Sequence, residues 1–395
     1  MKLLQKPCTK LFRGIMNKKY VNLLIKMRRD LHKIAEIGFK EEKTQKYIKR
    51  YAEKLSCKTI EAGGGIILFF DLHRADTYAF RAELDALNIM EKTKAPYKTT
   101  TPYMHACGHD GHMAMCLCLA VYINDCLKQN IDSFLCNIAI VFQPAEELAG
   151  GASSVINSGV LQKLNLSAFF ALHLMPQYEF GKIFSNGNVL MAGSNEVDVL
   201  FFGESKHIAK NDLSGDVLDA VTAFHQEVMT NNKRTTKGFM RFGILEGGTV
   251  RNVSSDKACL KGTMRFFNET TQNNITSFAL DCAKQISAKT GVEISVNINE
   301  SEGNPPVKNE ATLFRKIKNN IQIQTTDALF LCDDFSFYNS LCPSLYSFLG
   351  IGNTHSLHSP FFDFDDSVLE SGLQFFIDVL KIKAFRGRRV LPDTH

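Results

Sequence analysis

The sequence predicts an α/β fold with a second, inserted domain of ferredoxin-like β-α-β-β-α-β order. Three observations support this. The chain has 395 residues and is 45% hydrophobic, which is enough for a full core but long for a single ordinary domain. Strands alternate with helices in the first half, and the pattern changes after about Gly193.

The first half reads as a mainly parallel sheet covered by helices on both sides. A helical pattern runs from Tyr20 to Leu55, with apolar residues at helical spacing. A long apolar helix occupies 111–127. The remaining predicted elements are buried strands at 66–71, 79–84, 135–142 and 168–174, with a helix at 152–161. Strands alternating with helices are typical of parallel sheets.

The second unit begins with a strand whose apolar residues alternate, at 196–202. It continues with a helix at 216–229, strands at 238–245 and 258–267, a helix at 271–289 and a strand at 292–298. Asn304-Pro305-Pro306 breaks the chain and indicates a return to the first domain. We therefore expect a disordered tail at 1–17, a first α/β/α domain at 18–193 and 305–390, and an inserted domain at 194–304.

Composition limits the possible partners and compartment. The formal charge of +5 comes from 46 basic and 41 acidic residues, and the basic residues are scattered, so nucleic acid is not an expected partner. Eleven cysteines without disulfide-like spacing favour a reduced, cytoplasmic location. No segment is predicted to span a membrane or to serve as a signal peptide. Met1 and Met16 are both candidate start residues.

The run from His105 to His112, HACGHDGH, is the strongest chemical signal. Cys, His and Asp side chains are ligands that zinc and similar metals use. The glycines let the backbone fold tightly around an ion. The alternative is a plain strand-to-helix turn, but so many ligand-type residues in eight positions argue against it.

Two further signals lie at the ends of predicted buried strands. Glu146 and Glu147 follow the strand at 135–142, where α/β folds place their sites, and His173 lies at the end of the next strand. Adjacent residues point in different directions, so one Glu can bind metal while the other handles protons. The alternatives are an acidic helix start for the two Glu and an ordinary core residue for His173.

His355 and His358 lie in a late loop and would suggest only a polar loop if taken alone. The metal hypothesis therefore depends on how many candidate ligands lie near predicted strand ends, where they could meet around an ion. Five candidate ligands follow or flank predicted strand ends, and five are enough for two ions that share one of them: Cys107, His109, Glu147, His173 and His358.

These motifs resemble the aminoacylase and carboxypeptidase metallopeptidases, peptidase family M20 subfamily D. That branch includes N-acyl-amino-acid amidohydrolases, hippurate hydrolases, auxin-conjugate hydrolases and N-acetyl-diaminopimelate deacetylases. The resemblance covers nearly the whole chain, from Arg28–His32 to the last helix. Its markers are Arg81–Leu87, His105–His112, Phe142–Glu147, Ala171–His173, Gly247–Thr249 with Asn252, Gly262–Arg265, Asp334–Tyr338 and Leu357–His358.

The resemblance implies a metal-dependent amidohydrolase that binds two divalent ions per subunit, zinc or manganese, with cobalt or nickel as alternatives. Cys107 resembles the ligand shared by both ions, and His109, Glu147, His173 and His358 resemble the others. The resemblance makes Glu146 the general base and Glu83 or Asp85 a residue that orients a ligand or the base. On the inserted domain, Asn252 and Arg265 would hold the substrate carboxylate, and His207 would reach the active site of a partner subunit.

The expected substrate is therefore a small N-acyl amino acid, and the expected assembly is a homodimer formed through the inserted domain. The rival hypotheses are a dipeptidase or carboxypeptidase, an inactive binding protein, and a structural zinc protein. Structural zinc usually has four Cys or His ligands, whereas this mixture with carboxylates favours catalysis. Lys206 and Ile208 flank His207 where the family is usually glycine-rich, which leaves the substrate open.

Overall fold

The computed structural model describes residues 16–99, 101–129, 134–148, 150–210, 215–232, 237–352 and 355–382. Most of the predicted tail at 1–17 lies outside this range. Met16 and Asn17 are ordered and differ from that expectation. Met16 is buried and its backbone N–H donates to Glu370 Oε1 at 3.2 Å, while the Asn17 side chain caps the first helix. None of the described helices has the length and apolar character needed to cross a membrane.

The described residues form helices and strands in alternation. The helices are α1 (Lys18–Lys33), α2 (Glu42–Ala52), α3 (His109–Lys128), α4 (Gly151–Asn157), α5 (Val217–Asn232), α6 (Glu269–Thr290), α7 (Ala311–Lys318) and α8 (Val368–Lys381). The strands are β1 (Lys58–Ala62), β2 (Gly65–Phe70), β3 (Thr77–Glu83), β4 (Asn137–Gln143), β5 (Leu166–Met175), β6 (Ile183–Ser185), β7 (Val189–Met191), β8 (Gly193–Phe202), β9 (Gly238–Gly247), β10 (Lys257–Phe266), β11 (Glu293–Asn304), β12 (Val307–Lys308), β13 (Gln324–Thr325) and β14 (Ser344–Gly350).

The larger sheet has the strand order β1-β2-β4-β3-β5-β14-β6-β13. Its centre, β4-β3-β5-β14, is parallel, whereas β1, β2 and β4 pair antiparallel, as do β6 and β14. The prediction of a mainly parallel sheet is therefore right for the centre and wrong for the flank. The reason is a short hairpin: Gly63 and Gly64, both with positive φ, join β1 to β2, and so short a connection can join only antiparallel strands.

Helices cover both faces of this sheet, and the α/β prediction is confirmed. Helices α1, α3 and α8 pack on one face, and α4 with a 3₁₀ turn at Asp334–Ser340 packs on the other. Helix α3 is buried on nearly all sides, because apolar residues are distributed around most of its circumference. This fixes its first turn, which carries His109, against the end of the sheet.

The helical pattern predicted for Tyr20–Leu55 divides into α1 and α2. Between them the chain leaves the helix and lies along the segment after β3, where Ile37 bridges to Ala86 and the Ala86 N–H donates to the Glu36 carbonyl at 2.8 Å. The pairing of this segment with the residues after β3 outweighs the helical spacing of its apolar residues. It also brings Glu41, at the start of α2, toward the end of β4.

The second sheet has the order β11-β8-β10-β9, with every neighbouring pair antiparallel. Its elements follow the predicted β-α-β-β-α-β order and span residues 193–304. Helices α5 and α6 cover one face and enclose a separate core that includes Phe201, Phe224, Leu260 and Met264. The role of this unit in dimerisation remains a prediction.

Candidate metal centre

The centre lies at one edge of the larger sheet. Parallel strands β3, β4, β5 and β14 all end there, so the side chains that follow them meet although they are far apart in sequence. Glu83 ends β3, His173 lies near the end of β5, and Glu146 and Glu147 follow β4. The chain after β14 returns to the same place because the His358 N–H donates to the Ala106 carbonyl at 2.9 Å.

Cys107, His109 and His173 form a first group of candidate ligands. All three are buried, and their ligand atoms lie within 4.8 Å of one another. The Cys107 Sγ atom is 3.4 Å from His173 Nε2. Gly108 lets the chain turn between the thiol and the imidazole of His109, because its φ of 88° is a left-handed conformation that glycine adopts without strain.

Both imidazoles in this group direct their Nε2 atom toward it. His173 Nδ1 lies 2.8 Å from the Leu174 carbonyl, and His109 Nδ1 lies 2.9 Å from the Asp85 carbonyl. A carbonyl only accepts, so each Nδ1 carries a hydrogen, and in the neutral imidazole each Nε2 keeps a lone pair that can bind a metal ion. His109 Nε2 is buried with no hydrogen-bond partner among the described residues. An orphaned acceptor of this kind suits a metal ion.

A second group shares the thiol of the first. Cys107, Glu147 and His358 also place one ligand atom each within 4.8 Å of the others, and His358 Nε2 lies 3.2 Å from Glu147 Oε1. His358 has a φ of 63°, an uncommon conformation for a residue with a side chain, which turns its imidazole toward Glu147. The structure thus brings all five predicted ligands together as two groups of three that meet at Cys107.

Glu146 lies beside these groups with a different set of neighbours. Its Oε2 is 3.9 Å from His109 Nε2, and its carboxylate falls within 4.8 Å of those of Asp333 and Asp334. Burial, followed by the charges of Asp333 and Glu147, raises the pKa of Glu146. A carboxyl group with a raised pKa is suited to taking up and releasing a proton.

Asp85 and Glu83, predicted as alternatives for one orienting role, contact different parts of the centre. Asp85 Oδ2 accepts the Glu147 N–H at 2.9 Å, and its Oδ1 is 3.4 Å from His109 Nδ1. Glu83 Oε2 instead lies 2.8 Å from His112 Nδ1. The other ring nitrogen of His112 accepts the Leu174 N–H at 3.0 Å, so His112 holds the end of β5 and has no free ligand atom.

Sequence reasoning missed the buried guanidinium of Arg81. It forms ion pairs with Glu83, with Asp333 at 2.8 Å and with Asp334 at 2.8 Å, in a position that is about 1% exposed. Gln143 bonds to both Arg81 and Asp334. A charged residue inside a predicted buried strand was the available signal, because such a residue must have buried partners.

Sequence reasoning also missed Glu41, because nothing in the sequence indicates that its side chain contacts Ala145. Glu41 is 1% exposed, and its Oε1 accepts the Ala145 N–H at 2.9 Å. Ala145 has a φ of 47°, a strained conformation for a residue with a Cβ. The hydrogen bond that Glu41 accepts stabilises this turn, after which the side chains of Glu146 and Glu147 point in different directions.

The residues predicted on the inserted unit do not come together within one chain. His207 bridges to Val253, and the Ile208 N–H donates to the Asn252 carbonyl at 3.1 Å, so His207 and Asn252 are neighbours. Arg265 lies at the opposite end of β10. The ten residues of β10, at about 3.3 Å each, place Arg265 on the order of 30 Å from them. One chain cannot use Asn252 and Arg265 on the same carboxylate.

The charges of the centre also suit a cation. Burial and the nearby carboxylates of Glu147 and Glu146 raise the pKa of the Cys107 thiol well above its usual range. Burial lowers the pKa of His109, but Asp85 and Glu83 outweigh it and raise this pKa to about 10. Nearby carboxylates contribute to both shifts, and divalent ions would neutralise that negative charge. The donors are a thiol, imidazoles and a carboxylate, a set that fits zinc or a similar metal.

Comparisons with known proteins agree with this geometry. Residues 79–382 match the family described as Peptidase family M20/M25/M40. N-acetyldiaminopimelate deacetylase of Exiguobacterium sibiricum is 33% identical over 372 residues, which cover 90% of this chain and 97% of that protein. The enzyme of the same name from Lactococcus lactis subsp. cremoris is 30% identical, with coverage of 92% and 99%.

A solved structure with the same fold is that of the YXEP protein of Bacillus subtilis, described as a dinuclear metal binding peptidase from the M20 family. It aligns with a TM-score of 0.80 at 27% identity and covers 93% of this chain and 99% of its own. The likeness therefore extends over both sheets.

Proposed function

Because the chain belongs to peptidase family M20/M25/M40 and is a metal-dependent amidohydrolase, we propose that it hydrolyses N-acyl amino acids with Glu146 as the general base. The products are a carboxylate and a free amino acid. One observation supports this most strongly: two groups of three ligand-type residues share Cys107, and the carboxylate of Glu146 lies next to them. A structural metal site would have no use for that additional carboxylate.

Cys107, His109 and His173 would hold one divalent ion, and Cys107, Glu147 and His358 the other. When bound, such ions activate water and polarise an amide carbonyl. Zinc and manganese both accept this ligand set, and we propose these two as the native metals.

The side chains then supply the proton transfers. Glu146 takes one proton from the attacking water as the water oxygen bonds to the carbonyl carbon. When the carbon–nitrogen bond breaks, Glu146 gives that proton to the leaving amine nitrogen. The Arg81 network fixes Asp333 and Asp334 beside Glu146, and their negative charge helps the base to hold its proton between the two steps.

The substrate assignment depends on the relatives and on Arg265. Two relatives are named for removal of an acetyl group from an amino acid, which favours a short acyl group here. Arg265 donates to Met264 O at 3.1 Å and to Thr263, and it pairs with no described carboxylate, so it can bind that of a substrate.

We also propose a homodimer formed through the inserted unit. Strand β9 is an edge of its sheet and exposes Ile244 and Leu245, with Val250 close behind them in sequence, so a partner strand could cover this apolar edge. The distance between His207 and Arg265 supports the same assembly, because His207 would then serve the centre of the other subunit. The ten described cysteines are all free, which supports a cytoplasmic location.

The test is hydrolysis of a panel of N-acyl amino acids and dipeptides with added zinc or manganese. Glu146→Gln should lower kcat by roughly 10²–10⁴-fold while the protein keeps its bound metal. Glu53→Gln, which changes an exposed Glu on the same domain, is the matched control and should keep full activity. Full activity of Glu146→Gln would exclude Glu146 as the base, and faster cleavage of dipeptides would favour a peptidase.

A further inference from the structure

The end of β5 extends beyond the strand that pairs with it on one side. Strands β3 and β5 pair as far as Arg81, which lies opposite Ala171. On the other side, β14 continues to pair with β5 as far as Met175. The last residues of β5, which include the candidate ligand His173, therefore have a strand partner on one side only.

The backbone groups of Leu174 point toward the side that β3 leaves open. The carbonyl of the next residue, Met175, accepts the Ile351 N–H at 3.1 Å and so points toward β14. Because the backbone groups of consecutive strand residues point in opposite directions, the N–H and carbonyl of Leu174 point the other way. Leu174 is fully buried, so both groups need partners other than water.

His112 supplies the partner of the Leu174 N–H, which its Nε2 atom accepts at 3.0 Å. An accepting ring nitrogen carries no hydrogen, so the ring hydrogen is on Nδ1, which donates to Glu83 Oε2 at 2.8 Å. The other oxygen of Glu83 pairs with the buried guanidinium of Arg81. The imidazole of His112 is buried as well, and it takes the place of the missing strand partner beside the end of β5.

The carbonyl of Leu174 completes the connection to the metal centre. His173 Nδ1 donates to it at 2.8 Å, and Nε2 of the same ring lies 3.4 Å from Cys107 Sγ. The Leu174 side chain is confined too, because a Cβ added at Gly108 or Gly111 would lie 3.0 or 2.9 Å from its Cδ1 atom. Leu174 is thus held at its N–H, its carbonyl and its side chain, and the direction of the His173 ring depends on it.

His112 is not itself a candidate ligand, although Glu83, His109 and His112 place ligand-type atoms within 4.8 Å of one another. Both ring nitrogens of His112 and both carboxylate oxygens of Glu83 are engaged in the bonds given above. Of these three side chains, as the structure describes them, His109 is the one with a buried ring nitrogen that lacks a partner. His112 can therefore act on a metal ion only through another residue.

We propose that His112 positions His173 through Leu174 and thereby sets the affinity of the ion in the first ligand group. The inference rests on the two-ion centre of the proposed function and adds a difference between the ions: the first depends on His112, and the second does not. Within the described part of the chain, neither Glu147 nor His358 bonds to His112 or Leu174. Loss of a residue that orients a metal ligand typically lowers metal affinity by roughly 10–100-fold.

Two substitutions of His112 separate its two bonds. In His112→Gln the amide oxygen reaches the place of Nε2 and can still accept the Leu174 N–H, although the bond to Glu83 is lost. In His112→Asn the shorter amide takes the place of Nδ1 and can still donate to Glu83, but the Leu174 N–H loses its partner. We expect His112→Asn to weaken the binding of one zinc ion by roughly 10–100-fold and His112→Gln to remain close to the wild type.

The measurement is a calorimetric titration of the metal-free, full-length protein with zinc, in which the wild type should bind two ions. Asn124→Leu is the matched control, since Asn124 is also buried in α3 and accepts a backbone N–H, that of Ser56 at 2.8 Å. It should lower the free energy of unfolding and keep both zinc affinities. Double variants identify the ion: His112→Asn should add no loss to His173→Ala, but should weaken the ion that remains in His358→Ala.

Equal zinc affinities in His112→Asn and the wild type would overturn the inference. Equal losses in His112→Asn and His112→Gln would also reject it, because the cause would then be lost packing or the lost bond to Glu83. Where His112→Asn does not fold, His112→Gln decides: retention of both ions supports positioning through Leu174, and loss of one rejects it. A wild type that binds one ion only would reject the two-ion centre as well, whereas absence of hydrolysis with the expected affinities would reject the proposed reaction alone.

Discussion

The carboxylate of Asp85 accepts the backbone N–H of Glu147 at 2.9 Å through its Oδ2 atom. The same residue contacts His109 twice, since its carbonyl oxygen is 2.9 Å and its Oδ1 atom 3.4 Å from His109 Nδ1. Asp85 thus connects one candidate ligand from each of the two groups. It follows β3 and is fully buried, so its position is set by the sheet.

Asp85→Asn should weaken metal binding. An amide nitrogen in place of Oδ2 would put a donor against the Glu147 N–H, and an amide in either orientation would remove the negative charge that lies 3.4 Å from His109 Nδ1. Loss of a residue that orients metal ligands typically costs 10–100-fold in metal affinity. Titration of the metal-free variant with zinc, followed by calorimetry, would measure this. Wild-type affinity in the variant would show that Asp85 has no orienting role.

Cys107→Ala should remove the atom shared by both groups. We expect the variant to retain less metal than the wild type after dialysis and to lose activity, because each group would keep only two protein ligands. Elemental analysis by mass spectrometry gives the metal content directly. Cys118→Ala is a suitable control, since Cys118 is also buried and, among the described residues, its thiol bonds to the Tyr20 carbonyl alone. Metal retention equal in the two variants would contradict the assignment.

Arg81→Met should destabilise the fold strongly. It would leave the carboxylates of Glu83, Asp333 and Asp334 buried without their cation, and breaking a buried ion pair from one side costs about 3–5 kcal/mol. Denaturant unfolding would measure the change. Arg50→Met, at an exposed position on α2, should stay within about 0.5 kcal/mol of the wild type. If Arg81→Met lowered the free energy of unfolding only slightly, the carboxyl groups of Glu83, Asp333 and Asp334 would have to be protonated in the native state.

His32 should make stability depend on pH. Burial lowers its pKa, but hydrogen bonds to Asp110 and Glu91 outweigh burial and raise it from 6.5 to about 9. The folded protein therefore binds a proton that the unfolded chain releases above pH 6.5. The stabilisation is complete below about pH 6.5 and is lost as the pH rises through 9. It amounts to roughly 3 kcal/mol at 1.36 kcal/mol per pKa unit.

The measurement is the free energy of unfolding between pH 6 and 9.5 at constant metal concentration. His32→Gln should flatten the decline, because glutamine does not titrate in this range. His73→Gln, which changes a histidine whose side chain is 92% exposed, should leave the slope unchanged. An identical decline in wild type and His32→Gln would place the pH dependence elsewhere.

The five candidate ligands could be named from the sequence because each belongs to a short motif beside a predicted strand end. Strand ends could be recognised from the apolar runs of β3, β4 and β5, and α/β folds place sites at such ends. The two-residue spacing of Cys107 and His109 is a local feature. Neither observation needs knowledge of which strands are neighbours.

Other features depended on contacts between distant segments. The sequence could not assign separate roles to Glu83, the last residue of β3, and Asp85, two residues later, because their different neighbours are set only when β4, β5 and α3 have packed. Nor could it show that Glu41 supports Ala145 across 104 residues of chain. The antiparallel flank of the sheet was also missed, since pairing direction depends on how short the connection between strands is.

The sequence by itself determined the chemistry of this protein: a thiol, imidazoles and carboxylates in motifs that bind divalent metals, and an α/β pattern to hold them. The tertiary structure decided which of these groups meet. It joined the two ligand groups at Cys107 and placed Asn252 and Arg265 at opposite ends of β10. The physical reason is that side-chain identity is a local property of the chain, whereas distance between residues is set by packing of the whole fold.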